Sequence, residues 1–176
     1  MSLYTMSDPK HESVYPCGNW TKTERVGDTW VKKTTIVKPE VLDSILYFST
    51  LSDFLPDILS YEYEDDVLTI VTRHVEGKRL DTCDIHILLE CYGDIYRDFL
   101  SVLHSFPNRE WLHGNSNKFF CTDIKPSNFI LGKDGNLYFV DMDAFELASD
   151  IKMTQALYRM SATFTHLISE RMYDNK

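Results

Sequence analysis

Cys121-Thr122-Asp123-Ile124-Lys125-Pro126-Ser127-Asn128-Phe129-Ile130-Leu131-Gly132-Lys133-Asp134-Gly135-Asn136-Leu137-Tyr138-Phe139-Val140-Asp141-Met142-Asp143 is the stretch around which this 176-residue chain is arranged. Apolar residues at 129–131 and 137–140 flank a Lys-Asp-Gly-Asn turn, a strong short-range signal for a β-hairpin. Closing that hairpin brings its open ends together. Asn128 then lands beside Asp141, and Asp123 lies on the loop just before them.

Two oxygen-bearing side chains converging at the mouth of a hairpin suit a hard cation such as Mg2+. Such an ion takes carboxylate and amide oxygens and keeps its other positions for water and phosphate. Asp123, five residues before Asn128, adds a carboxylate able to orient a hydroxyl, and Lys125 between them adds a positive charge. Phosphoryl transfer needs these parts: metal, base and cation around the moving group. Singly, Asp and Asn equally form Asx-turns and cap strand ends. The four together, at this spacing, point to chemistry.

Asp123-Ile124-Lys125-Pro126-Ser127-Asn128 resembles the catalytic loop of eukaryotic-type serine/threonine protein kinases, which reads H-R-D-L-K-P-x-N. Val140-Asp141-Met142-Asp143 resembles the metal-binding segment that in the family reads Asp-Phe-Gly. The wider kinase-like superfamily, including aminoglycoside phosphotransferases and sugar or lipopolysaccharide kinases, carries related loops. The resemblance implies an α+β, two-lobed protein-kinase-like fold. A small antiparallel-sheet N-lobe would span about residues 11–75, and a reduced, mainly helical C-lobe residues 76–176. It implies ATP and Mg2+ as cofactors. Asp123 would orient and deprotonate an acceptor hydroxyl, Lys125 would steady the phosphoryl group, and Asn128 and Asp141 would hold the metal. A strand lysine would hold the nucleotide phosphates, with an apolar residue two positions earlier over the base. Lys33 with Val31 fits this better than Lys32 with the bulky Trp30. In the family a helix Glu pairs with that lysine; Glu40 is the only Glu in this helix, but capping the helix start is its favoured role over pairing, and Asp43 is the fallback partner. Pro16–Asn19 falls where the family carries its glycine-rich phosphate cover but offers Gly18 alone, and Thr72–Gly77 falls at the lobe-joining hinge. Cys121-Thr122 stands in place of His-Arg, and Met142-Asp143 in place of Phe-Gly.

Composition narrows the field from another side. A net charge of −9 and a pI near 5.0 argue against nucleic acid or an anionic membrane as the main partner, because both need a basic face. At 43% hydrophobic and 13% aromatic, the chain can bury a sizeable interior as one domain or two small lobes. No apolar run approaches the ~18 residues of a membrane span, and the polar N-terminus has no signal-peptide core. Cys17, Cys83, Cys91 and Cys121 make no Cys-x-x-Cys pair and no zinc spacing. They are expected to be reduced thiols of a cytoplasmic protein.

Periodicity supplies the remaining elements. Strands are expected at Glu12–Tyr15, at Thr21–Val26 and Thr29–Val37 around a Gly27-Asp28 turn, and at Ile58–Tyr63 and Val67–Val75 around an acidic turn. Pro39-Glu40 opens a helix with Leu42, Ile45, Leu46 and Ser49 on one stripe, ending before Pro56. Asp84 caps a long helix to about Phe106, with Ile85, Leu88, Leu89, Tyr92, Ile95, Phe99, Val102 and Leu103 as its apolar face and Gly93 marking close packing. His104 and His113 read as helix-end or loop histidines. A final helix runs from about Ala148 to Arg171, with Ile151, Ala156, Leu157, Met160, Phe164, Leu167 and Ile168 apolar. A protein kinase would carry a peptide-docking platform there.

The expectation is an ATP- and Mg2+-dependent phosphotransferase acting on a hydroxyl of a protein, of itself, or of a small molecule. The alternative is a pseudokinase that binds nucleotide or a partner without turnover. A protein partner covering the reduced C-terminal region completes the set of expectations.

Overall fold

The computed structural model describes residues 21–34, 39–64, 67–105 and 118–174. The strand and loop expected at 12–19, the acidic turn at Asp65-Asp66 and His113 lie outside the described residues, as do the side chains of Val31, Lys32, Lys33 and Glu40. The fold is α+β, with antiparallel sheets and several helices, in two compact units.

The first unit is a four-stranded antiparallel sheet in the order β1-β2-β4-β3, from β1 (Thr21–Val26), β2 (Thr29–Thr34), β3 (Ile58–Glu64) and β4 (Val67–Arg73). Gly27, with φ near 60°, and Asp28 make the two-residue turn between β1 and β2, where only glycine enters the left-handed region cheaply. β4 alternates strictly: Leu68, Ile70 and Thr72 are buried, as one face of a pleated strand requires. The His74 amide closes the sheet by donating to the Asp28 carbonyl at 2.8 Å.

The second unit comprises residues 37–57 together with residues 75–176. It opens with helix α1 (Pro39–Leu51). The sequence reading assigned this helix to residues 11–75, but it groups with the second unit. Its buried side chains explain why. Val41, Leu42, Ile45 and Phe48 form the covered stripe, and the Phe48 ring lies 5.4–6.0 Å from Phe99, Phe119 and Phe145. Leu46 and Ser49, expected on the stripe, are only half-buried.

β5 (Gly77–Arg79) leads through a 3-10 turn into α2 (Ile85–Asp94), a π-helical turn (Ile95–Phe99) and α3 (Leu100–Ser105). The π turn inserts one extra residue into the helical repeat. The buried stripe therefore runs Leu88, Cys91, Ile95, Phe99 and resumes at Leu100 and Leu103. Leu89 falls off it and is 47% exposed, against expectation. Gly93 also departs from expectation: a Cβ there would meet nothing within 4 Å.

β6 (Lys118–Cys121) pairs with β9 (Phe145–Ala148), so Cys121 lies opposite Phe145. Between them come a 3-10 turn (Pro126–Asn128), β7 (Phe129–Gly132), β8 (Leu137–Phe139) and a second 3-10 turn (Met142–Ala144). β7 and β8 join β5 in a three-stranded sheet ordered β5-β7-β8. The last element is α4 (Asp150–Asp174), which buries Met153, Ala156, Met160 and Phe164 as one stripe. Phe164 stacks on Tyr92 at 4.7 Å. Ile151, expected on that face, is 72% exposed. The spacing 153-156-160-164 excludes it: two residues before Met153 lies on the far side of a 3.6-residue turn.

Candidate active site

The hairpin forms where the sequence puts it. Lys133-Asp134-Gly135 is a three-residue loop, closed by Gly132 N–H donating to the Asn136 carbonyl at 2.8 Å and Gly135 N–H to the Gly132 carbonyl at 3.0 Å. Gly135 takes φ near 85°, which such loops demand of their last residue. Asp134 braces the turn by accepting from Tyr138 Oη at 2.6 Å and Asn136 N–H at 3.1 Å. The Tyr138 hydroxyl bond holds the Asp134 carboxyl below its ordinary range.

Aromatic packing fixes the other end. Phe129 and Phe139 are cross-strand partners with ring centroids 5.1 Å apart, and both rings pack on Phe99. The Phe139 amide donates to the Phe54 carbonyl at 2.6 Å. One residue beyond each ring pair, Val140 N–H donates to the Asn128 carbonyl at 2.9 Å, which draws Asn128 and Asp141 together.

Asn128 is buried, and its amide nitrogen organises the site. Nδ2 donates to the Asp123 backbone carbonyl at 2.8 Å and to Asp141 Oδ2 at 2.9 Å, and lies 3.4 Å from Asp123 Oδ2. A carbonyl only accepts, so the nitrogen must face it. The amide oxygen is thereby turned away from the Asp123 carbonyl. Lys125 Nζ forms an ion pair with Asp123 Oδ2 at 2.6 Å, with both side chains close to half exposed. Asp123, Lys125, Asn128 and Asp141 are therefore one contiguous cluster. Asp141 has φ −99° and ψ 66°, outside regular structure, and its carbonyl accepts from Ala144 N–H at 3.0 Å.

Asp141 carries a carboxylate and Asn128 an amide oxygen, which are donor types that Mg2+ takes, although here Asn128 presents its amide nitrogen to Asp141 Oδ2. Mg2+ characteristically takes one or two carboxylates and fills its octahedron with water and phosphate. Among the described residues, no group of three or more His, Cys, Asp or Glu side chains is arranged to hold a metal. An Asp–Asn pair falls below that count.

The sequence marks Thr122 only as the residue standing where the family carries Arg, and does not mark Glu146. Thr122 N–H donates to the Ala144 carbonyl at 2.9 Å, and its hydroxyl donates to Glu146 Oε1 at 2.6 Å. The pairing of β6 with β9 creates this contact. The short Phe-Glu-Leu-Ala strand that carries Glu146 is the one sequence signal for it. Cys121 is fully buried, and burial pushes its thiol well above the ordinary range, so it stays neutral and packs as a small apolar group. Val31, Lys32 and Lys33 lie on β2 of the first unit, with Lys33 opposite Lys22 and Thr69.

No protein-family model and no curated protein matches this chain. Among solved structures it is similar to the one titled "Crystal structure of monomeric WbdD", with a TM-score of 0.46 and 12% identity. The match covers 81% of this chain and 36% of that one, so the chain spans little more than a third of that protein's length. At that level the likeness identifies neither fold nor activity.

Proposed function

We propose that the chain is a phosphotransferase of the protein-kinase-like, two-lobed type, moving the γ-phosphoryl group of ATP to a hydroxyl acceptor. The observation that carries this reading is the cluster itself. A carboxylate, a cation and a carboxylate–amide pair converge at one hairpin mouth, with the amide oriented by the Asp123 carbonyl.

Each residue has a duty that follows from its chemistry. Asp123 accepts the acceptor's proton as the new O–P bond forms and the bond to ADP breaks. Lys125 shares its charge between Asp123 and the transferred group. Asp141 and Asn128 would hold Mg2+, which when bound neutralises phosphate charge. Lys33, or Lys32, would hold the nucleotide phosphates, and Val31 would cover the base. Positioning and electrostatics supply most of the rate in such a site. A Ser or Thr hydroxyl of a protein, or of the chain itself, is favoured over a small-molecule acceptor. The free buried thiols Cys83, Cys91 and Cys121 suit a reducing compartment such as the cytoplasm.

A second reading, a pseudokinase that binds nucleotide or a partner without turnover, is favoured by the ion pair that occupies the base: Lys125 Nζ already sits on Asp123 Oδ2. Transfer from γ-labelled ATP separates the two. The expected outcome is Mg2+-dependent transfer that falls by about 10²-fold or more in Asp123→Ala, the scale of a lost general base. Undiminished transfer in that variant removes Asp123 from the role. A MgATP-induced melting shift without transfer selects the pseudokinase.

A further inference from the structure

Every polar group of Thr122, the residue immediately before Asp123, is engaged. Its N–H donates to the Ala144 carbonyl at 2.9 Å, its hydroxyl donates to Glu146 Oε1 at 2.6 Å with the Ala144 carbonyl a second acceptor at 3.2 Å, and its carbonyl accepts from Arg159 Nη2 at 3.3 Å. The other oxygen of Glu146 accepts from Lys152 Nζ, so the carboxylate is held from both sides. These partners come from the 3-10 turn ending at Ala144, from β9 and from two positions about two turns apart on α4. Asp123, by contrast, is exposed, and its carboxylate pairs with the exposed Lys125 ammonium and lies 3.4 Å from the Asn128 amide. The placement of its carboxylate is therefore set largely by its backbone, which the Asn128 amide holds at the Asp123 carbonyl and Thr122 holds from the preceding residue.

We propose that Glu146, backed by Lys152, and Arg159 are positioning residues that clamp Thr122 and thereby hold the candidate base in register. This makes α4, the helix standing where a kinase would carry its docking platform, a brace for the catalytic loop. The clamp is permanent: its anion is a carboxylate of the chain, so the loop is held without any added phosphate. The inference rests on the reading of Asp123 as the base.

Thr122→Val keeps the side-chain shape and removes the hydroxyl, whereas Thr122→Ser keeps the hydroxyl. A misplacement near 1 Å costs on the order of 10²-fold, so Thr122→Val is expected to lower kcat by at least about tenfold. KM for ATP should change by less than about twofold, since a misplaced base weakens the transition state more than ground-state binding. Thr122→Ser should restore most of the rate. Glu146→Ala should lower kcat in the same direction, and the double variant should lose less than the product of the two single effects, because the singles share the Thr122–Glu146 contact. Amide hydrogen exchange across residues 121–125 should quicken in Thr122→Val. Unchanged exchange there, or unchanged kcat in Thr122→Val while Asp123→Ala is inactive, overturns the clamp alone. Absence of transfer by the unmodified chain, or full transfer by Asp123→Ala, overturns the base and the catalytic role of the clamp together.

Discussion

Asn128 uses its amide hydrogens on fixed acceptors, so two substitutions of similar size are expected to behave differently. Asn128→Leu removes the hydrogen bonds to the Asp123 carbonyl and to Asp141 Oδ2, at about 0.5–1.5 kcal/mol for the first and about 1.5–3 kcal/mol for the one to a charged group. Asn128→Asp does the same and adds a carboxylate beside Asp141, where like charges repel. Millimolar Mg2+ should recover much of the melting temperature of Asn128→Asp, by neutralising the new carboxylate pair, and little of that of Asn128→Leu. Equal behaviour of the two in Mg2+ would argue against a metal between residues 128 and 141. At this scale the sequence was informative: the Asn128–Asp141 contact follows from a turn signal and strand alternation. The Thr122–Glu146 bond did not follow, because it depends on pairing across 24 residues that no local pattern announces.

Two glycines separate local propensity from tertiary contact. A Cβ on Gly77 would run into the Leu131 carbonyl and come within 2.8 Å of Gly132 Cα, so Gly77→Ala must push β5 off β7. A Cβ on Gly93 would meet nothing within 4 Å, and its only effect is on helix propensity. Thermal unfolding should therefore show Gly77→Ala losing at least about 1–3 kcal/mol, the range for overpacking, and Gly93→Ala gaining about 0.5–1 kcal/mol. A stabilised Gly77→Ala would mean that β5 is not held against β7 as described. The strands missed in the sequence share one property: Gly77–Arg79, Lys118–Cys121 and Phe145–Ala148 are three or four residues long. Too few positions exist there for alternation to stand out. Helices were readable in existence and extent, but single positions on their faces slipped, Leu89 within α2 and Ile151 in the first turn of α4, because an apolar side chain beside the stripe does not show whether anything covers it.

The second unit is discontinuous in sequence, since residues 37–57 join residues 75–176 after the β3–β4 hairpin. Phe48 and Phe54 are its early contributions: Phe48 meets Phe99, Phe119 and Phe145, and Phe54 meets Phe99. Removing a buried phenylalanine ring costs about 3–5 kcal/mol, comparable with the whole stability of many domains. A fragment beginning at Val75 is accordingly expected to lack a cooperative urea transition, whereas the full chain shows one. A cooperative fragment would show that α1 is dispensable to this core. The sequence could place α1 but not assign it to a unit, because an apolar stripe says that a face is covered and not by what. The same arrangement bears on biosynthesis. Phe48 leaves the ribosome 97 residues ahead of Phe145, an interval of about 5–20 s at usual elongation rates. Throughout that interval the nascent chain carries the Val41–Phe48 stripe without its final neighbours, which makes α1 a segment suited to capture by a cotranslational chaperone.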